Sequence, residues 1–83
     1  MKITVKYFAS IREAIGLGSE TLDTPAATVG ALREALIAQG GARADSLAHG
    51  KAVRAAINQV MCNDDAALIE GAEVAFFPPV TGG

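Results

Sequence analysis

An 83-residue chain that is 51% hydrophobic has room for one domain, because compact domains begin near about 50 residues and a second core would be too small. Its regularly spaced Ile, Leu, Val and Phe residues exclude a disordered acidic segment. A net charge of -2, with no cluster of Lys or Arg, argues against nucleic acid or an anionic membrane as the partner. We therefore expect the partners to be proteins.

The first half of the chain predicts two strands and two helices. Residues 2–7 alternate polar and apolar side chains, which is typical of a strand with one buried face. Ser10 and Glu13 have the spacing of a capping box, so a helix of about two turns is expected to open there. A second strand is expected over residues 20–24, and Thr28 is placed to cap the helix that follows.

The main helix is predicted over residues 29–39 and is stopped by the glycine pair at 40–41. Arg33 and Glu34 are expected to lie outside its apolar stripe. Residues 42–51 have weak periodicity, so they are interpreted as a loop with at most one irregular turn. The predicted stripe comprises Val29, Leu32, Ala35, Leu36 and Gln39.

The second half predicts three short strands. Residues 53–57 and 60–62 flank Asn58 and Gln59, which favours a tight hairpin although the Asn-Gly signature is missing. The last strand is expected over residues 73–77. One long helix crossing a small mixed sheet satisfies the two-layer rule for a domain of this size. The sequence therefore predicts an α+β fold of β-grasp architecture.

The chain has one cysteine, Cys62, which excludes an internal disulfide and a cysteine metal cluster. It lies in an apolar stretch and is interpreted as a small buried side chain. No apolar run is long enough to span a bilayer, and the N-terminus has the alternation of a strand and not the pattern of a signal peptide. A cytoplasmic location is expected.

The C-terminal end carries the strongest functional signal. Residues 1–79 are expected to form the domain, and residues 80–83 a flexible projecting tail. Pro78 and Pro79 fix φ and favour an extended exit from the domain. The four residues beyond them can reach roughly 13 Å at about 3.3 Å per residue. Because Gly82 and Gly83 have no Cβ, they can enter a channel too narrow for other residues.

These residues resemble one family closely. The stretch EGAEVAFFPPVTGG at residues 70–83 is similar to the end of the small, sulfur-carrying subunit of molybdopterin synthase, a ubiquitin-like family of about this length. Residues 57–59 and 8–13 support the resemblance. It fades at residues 16–27 and 40–52, where only the order of elements agrees.

The resemblance implies a reaction cycle at Gly83. An E1-like adenylating enzyme uses ATP to activate the carboxylate, and sulfur from a donor protein then converts it to a thiocarboxylate. Activation is needed because a C-terminal carboxyl with a pKa near about 3.5 is an anion at neutral pH and resists nucleophiles. The large synthase subunit would then receive the tail and pass sulfur to a pyranopterin precursor.

The resemblance also implies the division of labour. Two small and two large subunits assemble, and this chain itself binds no cofactor and does no catalysis. Gly83 carries the reacting group with Gly82 beside it. The guiding residues are Pro78, Pro79, Val80 and Thr81.

Strand parity predicts a partner-binding patch beside the tail. If Val74 and Phe76 face the helix, Phe77 faces away, and the same alternation turns Phe8 away on the first strand. The first and last strands of a β-grasp are neighbours, so these aromatics are expected to join in an exposed patch with Met61. Arg12 is expected either to meet an acidic rim on the partner or to be a solvated surface arginine with little effect on affinity. A bent sheet that buries both aromatics is the alternative.

Three other functions stay open. A sulfur carrier of thiazole synthesis has the same fold and the same diglycine, although the FFPPVT segment favours the molybdopterin carrier. A protein tag would join Gly83 to lysines of its targets. A plain β-grasp binding module would carry the glycines only as a frayed end.

Overall fold

Five strands and three helices make up the computed structural model, which describes residues 1–79. The strands are β1 (Lys2–Tyr7), β2 (Ser19–Asp23), β3 (Arg54–Ile57), β4 (Val60–Cys62) and β5 (Glu73–Phe77). The helices are α1 (Ala9–Ile15), α2 (Val29–Ala38) and α3 (Gly41–Leu47).

The strands form one mixed sheet in the order β2-β1-β5-β3-β4. β1 and β5 pair in parallel at its centre, and the other pairs are antiparallel. This is the predicted β-grasp: the two ends of the chain form the central strands, and the segment between them supplies α2 and the edges. No helix within residues 1–79 combines the length and apolar content needed to cross a bilayer.

The core lies between α2 and one face of the sheet. Alternation along β1 and β5 turns every second side chain toward the helix, and these side chains are at most 1% exposed. Fully burying an aliphatic or Phe side chain contributes roughly 1.5–3 kcal/mol, so this layer dominates the stability of the fold. Its largest members are Ile3, Val5, Tyr7, Leu32, Leu36, Val74 and Phe76.

Two local signals in the sequence are confirmed. The Thr28 hydroxyl accepts a hydrogen bond from the Ala31 amide at 3.1 Å and caps α2. Asn58 and Gln59 form the two-residue turn between β3 and β4, with φ angles of 48° and 71°. Both values are positive, as a type I′ turn requires. Asn58 also accepts from the Glu73 amide at 3.0 Å, which ties the turn to β5.

The prediction of a loop over residues 42–51 is wrong for its first half, which forms α3. This helix contains only one large apolar side chain, Leu47, and that side chain is fully buried. Tertiary contacts stabilise it. The Arg33 guanidinium donates to the carbonyl oxygens of Leu47 at 2.7 Å and Ala48 at 2.8 Å, where a helix end leaves acceptors without partners.

The prediction that Arg33 lies outside the apolar stripe is therefore also wrong. Arg33 is only 7% exposed, whereas Ala35 is exposed. The buried positions of α2 are 29, 32, 33 and 36, which is the usual i, i+3, i+4, i+7 face of a helix. The arginine occupies a core-facing position because α3 offers two carbonyl groups that satisfy its charge.

The predicted capping box of α1 is not formed. Ser10 lies inside the helix, and the residue at the N-cap is Phe8, which makes no side-chain cap. The chain enters α1 through Ala9, whose φ of 52° is in the left-handed region. This conformation costs a residue with a Cβ roughly 1–2 kcal/mol. Because the chain turns sharply at Ala9, Phe8 keeps the extended backbone of β1 and stays outside the helix.

Candidate partner-docking site

The C-terminal arm starts at the end of β5, the middle strand of the sheet. Pro78 and Pro79 follow Phe77 directly and are half-buried. The candidate residues Val80, Thr81, Gly82 and Gly83 lie outside the described residues. The structure therefore fixes the point from which the tail leaves, beside the start of α1 and the start of β3.

Two phenylalanines lie next to this point on the face of the sheet opposite α2. Tyr7 pairs with Phe76 across β1 and β5, and the Phe8 amide donates to the Phe76 carbonyl at 3.2 Å. The residues that follow each partner, Phe8 and Phe77, are therefore side by side. Phe8 is 44% exposed, and Phe77 is half-buried. Strand parity thus places both side chains as the sequence suggests, on the open face and not in the core below α2.

A second row of side chains crosses the same face one step farther from the tail. The register aligns Lys6, Ala75, Ala56 and Met61 across four strands. Met61 is 60% exposed, Ala75 is half-buried and Ala56 is only 6% exposed, so small apolar side chains fill the row between Met61 and the phenylalanines. We define the docking face as Phe8, Phe77, Ala75, Ala56 and Met61.

Charged groups surround the docking face. Lys6 forms an ion pair with Glu73 at 3.2 Å, so its charge is compensated within the chain. Arg12 is exposed, and its guanidinium lies close to Gly18, at the side of the face nearest β2. Arg54 is the register partner of Phe77 on the opposite side. Positive charge thus flanks the apolar row on both sides.

A half-buried polar cluster on the other face contributes no reactive group. The Tyr7 hydroxyl donates to Glu20 at 2.5 Å, and Arg43 donates to both oxygens of the same carboxylate at 2.8 and 3.0 Å. Burial and the neighbouring Glu20 carboxylate raise the pKa of Tyr7 far above its ordinary value. Burial acts to raise the pKa of Glu20, but the hydrogen bonds from Arg43 and Tyr7 outweigh it and lower that pKa. The cluster joins α3 to β1 and β2.

The remaining candidate groups are also unsuited to chemistry. Cys62 is half-buried, and burial raises the pKa of its thiol, which disfavours the nucleophilic thiolate. His49 pairs with Glu34 on the exposed side of α2. Within residues 1–79, no group of three or more His, Cys, Asp and Glu side chains is arranged to hold a metal ion.

A shallow groove of about 340 Å³ opens beside the point where the tail leaves. Pro78 forms one wall, α1 contributes Ser10 and Ile11, and α3 contributes Ser46. The sequence does not predict the side of the groove formed by α3, because it predicts a loop in place of that helix. Sequence reasoning also missed Arg54, although the alternation that places Ala55 in the core would have turned Arg54 to the open face.

The sequence and the fold each resemble known proteins. The model of the ThiS family matches residues 5–83. The molybdopterin synthase sulfur carrier subunit of Escherichia coli is 44% identical over 81 residues, which cover 98% of this chain and 99% of that protein.

Two solved structures have the same architecture. SAMP1 from Haloferax volcanii has a TM-score of 0.77 at 26% identity, and each chain is covered completely. Subunits 1 and 2 of the molybdopterin-converting factor of Helicobacter pylori were solved as a protein–protein complex. A chain of that complex has a TM-score of 0.68 at 25% identity, again with both chains covered completely.

Proposed function

The chain belongs to the ThiS family, and we propose from this that it carries sulfur for molybdopterin biosynthesis as a thiocarboxylate on Gly83. The observation that carries the proposal is the extent of the match. The family model runs through the diglycine to residue 83, and the similarity to the Escherichia coli sulfur carrier covers almost the whole of both chains.

The proposed chemistry requires activation by a partner. The Gly83 carboxylate attacks the α-phosphorus of ATP on an E1-like adenylating enzyme, and pyrophosphate leaves. Sulfide-level sulfur (HS⁻) supplied by a donor protein then attacks the acyl carbon, AMP leaves, and loss of the proton gives the thiocarboxylate. The first step removes the negative charge that repels nucleophiles and supplies a better leaving group than oxide. ATP serves as a substrate of the partner and not as a cofactor of this chain.

In this proposal the domain presents the reacting group and its partners supply the catalysis. A group tethered on an arm and inserted into a partner's pocket reacts at high effective concentration, which replaces a diffusional encounter. The raised pKa of the Cys62 thiol and the hydrogen-bonded cluster around Glu20 support a non-catalytic role for the fold. Because activation consumes ATP, we place the cycle in the cytoplasm.

The proposed docking partner during sulfur transfer is the large subunit of molybdopterin synthase. The tail leaves the sheet next to the docking face, so a protein that encloses Gly82 and Gly83 also approaches Phe8 and Phe77. Exposed aromatics at the centre of a contact are typical binding hot spots. The complex formed by the two Helicobacter pylori subunits supports this assignment. Two copies of each subunit are the expected assembly.

Reconstitution tests the proposal. The purified chain is incubated with ATP, the adenylating enzyme and a sulfur donor, and its intact mass is measured. We expect the increase that replacement of one oxygen by sulfur requires, confined by fragmentation to Gly83. Addition of the large subunit and the pyranopterin precursor should restore the original mass. Absence of the sulfur-containing species under conditions that consume ATP would contradict the proposal.

The similarity to SAMP1, a small archaeal modifier protein, favours protein modification as the second candidate. In that case a lysine amine of a target attacks the activated Gly83 and an isopeptide forms. The two candidates share the adenylation step, so ATP consumption does not separate them. Branched peptides that carry the C-terminal residues on lysines of cellular proteins would favour modification, and the sulfur-containing chain would favour sulfur transfer.

A further inference from the structure

Arg54 stands at the edge of the docking face, directly beside the point where the tail leaves. It is the register partner of Phe77 on β3, and Phe8 lies on the other side of Phe77. Adjacent strands are about 4.8 Å apart, so the Arg54 backbone is roughly 10 Å from that of Phe8. Ala55 and Ile57 face the core, which leaves Arg54 on the open face, where it is exposed.

Like Arg12 on the other side of the docking face, Arg54 forms no ion pair among residues 1–79, although Asp64 and Asp65 line a groove together with it. Lys6 on the same face has Glu73 at 3.2 Å, and Arg43 on the opposite face has Glu20 at 2.8 Å. Among the residues that the structure describes, no carboxylate lies within ion-pair distance of Arg54. A cation at the edge of an apolar surface that forms no ion pair within the fold is available to a partner.

Docking would change the surroundings of this cation. A protein that covers Phe77 and Phe8 removes water from the adjoining guanidinium, and an unpaired charge in such a place is costly. A planar guanidinium is matched best by a carboxylate, which it can bind through two parallel hydrogen bonds. The surface that faces Arg54 in the complex is therefore expected to carry Asp or Glu.

We propose that Arg54 is a specificity-determining residue for the large synthase subunit, whose surface beside the pocket for Phe77 carries a carboxylate. The inference rests on the proposed function. It assigns to β3 an ionic contact with the partner, in addition to the contacts of the tail and the two phenylalanines. Complementary charge of this kind speeds the encounter and rejects partners with a basic rim.

The test measures association of the full chain with the purified large subunit by stopped-flow mixing, at about 0.1 M and about 1 M salt, where the Debye length is about 10 Å and about 3 Å. We expect Arg54→Glu to lower the association rate constant about fivefold at the lower salt concentration and less than about twofold at the higher. Arg54→Gln should give an intermediate effect. Lys2→Glu is the matched control, because Lys2 is exposed on the same face at the far end of β1.

Each outcome has a separate meaning. Equal effects of Arg54→Glu and Lys2→Glu would show that only net charge matters and would overturn the inference. An effect of Arg54→Glu that persists at high salt would assign Arg54 to packing against Phe77 and would overturn it too. If Arg54→Glu slows association with the adenylating enzyme in this salt-dependent way and leaves association with the large subunit unchanged, the assignment of Arg54 to the large subunit is wrong. Failure of the wild-type chain to bind the large subunit at all would instead refute the proposed function.

Discussion

Phe8 and Phe77 are neighbours on the open face of the sheet because the parallel pairing of Tyr7 with Phe76 aligns the residues that follow each of them. The C-terminal arm begins one residue beyond Phe77, at Pro78. A protein that takes hold of the arm therefore covers two aromatic side chains in the same event. The fold thus links presentation of the C-terminal group to recognition of the domain.

Removal of Gly83, or addition of one residue after it, is expected to abolish sulfur transfer and leave the fold intact. The reacting carboxyl group is displaced from its place in the partner's channel, while the last core residue, Phe76, precedes the two prolines and is unchanged. Sulfur transfer in the reconstituted system and a thermal melt of the isolated chain measure the two effects. Full activity of an extended chain, shown by mass spectrometry to be untrimmed, would count decisively against the assignment.

Phe77→Asp is expected to weaken binding of the large subunit at least about tenfold, as truncation of an interface hot spot does. Its unfolding free energy should fall by less than about 1.5 kcal/mol, because Phe77 is half-buried on the open face and not part of the core. Val60→Asp is the control. Val60 is 68% exposed on edge strand β4 and pairs with Ile57, outside the docking face.

Calorimetric titration and urea unfolding of both variants distinguish the two readings of Phe77. If Phe77→Asp lowers the unfolding free energy by more than it weakens the free energy of binding, Phe77 belongs to a minor core formed by a bent sheet. Equal weakening of binding by Val60→Asp would show that the docking face is not the contact surface.

Arg33→Met is expected to lower the unfolding free energy by about 1.5–3 kcal/mol, since hydrogen bonds from charged groups contribute roughly that amount. Methionine retains much of the aliphatic stem but leaves the carbonyl groups of Leu47 and Ala48 without their donor. Amide hydrogen exchange should increase first in α3. The control is Ala35→Met at an exposed position of the same helix, for which a change within about 0.5 kcal/mol is expected.

These contacts mark the limit of what the sequence predicts. The sheet, α2 and the hairpin follow from signals carried by adjacent residues: alternation in β1 and β5, the Thr28 cap, and the pair Asn58 and Gln59. Helix α3 has no such signal because it depends on contacts with distant residues, among them Arg33, eight residues before its first residue, and Glu20. An arginine in a helix is ordinarily exposed, so its buried position could not be inferred without its acceptors.

Within the candidate site, strand alternation predicts the exposure of Phe8, which is 44% exposed, but only part of that of Phe77, which is half-buried. The position of Arg54 beside Phe77 could not be predicted in this way, because it depends on pairing with β5, which begins 19 residues later at Glu73. Whether a cation is compensated is a property of the folded surface. The sequence contains both partners of each ion pair but not the distance between them.

Gln59→Gly is expected to raise the unfolding free energy by about 0.5–1 kcal/mol. Gln59 has a φ of 71°, and glycine adopts this region without the steric cost that a Cβ carries, while it loses part of that gain through greater freedom when unfolded. Urea unfolding gives the change. Asn58→Gly is the contrasting variant and should destabilise, because it removes the acceptor of the Glu73 amide. A drop in stability for Gln59→Gly would show that the turn is not limited by strain.

Stability at low pH should depend on Glu20. The folded-state pKa of this carboxyl group lies below its ordinary value of 4.5, so the group stabilises the fold above pH 4.5 and loses this effect as the pH falls through the lower folded-state pKa. Unfolding free energies of the wild type and Glu20→Gln are measured from neutral to acidic pH. Their difference should shrink as the pH decreases, and a difference independent of pH would contradict the role of the Arg43 pair.

Because β5 is hydrogen-bonded to β1 on one side and β3 on the other, tension applied to the C-terminal arm acts on both ladders at once. The bonds run across the direction of the pull, so they are loaded in shear together and not opened one after another as at a sheet edge. An enzyme that binds and pulls on the C-terminal end therefore has to break both ladders together before the domain unfolds. The folded domain limits how far the chain can enter such an enzyme, and the limit lies at Phe77.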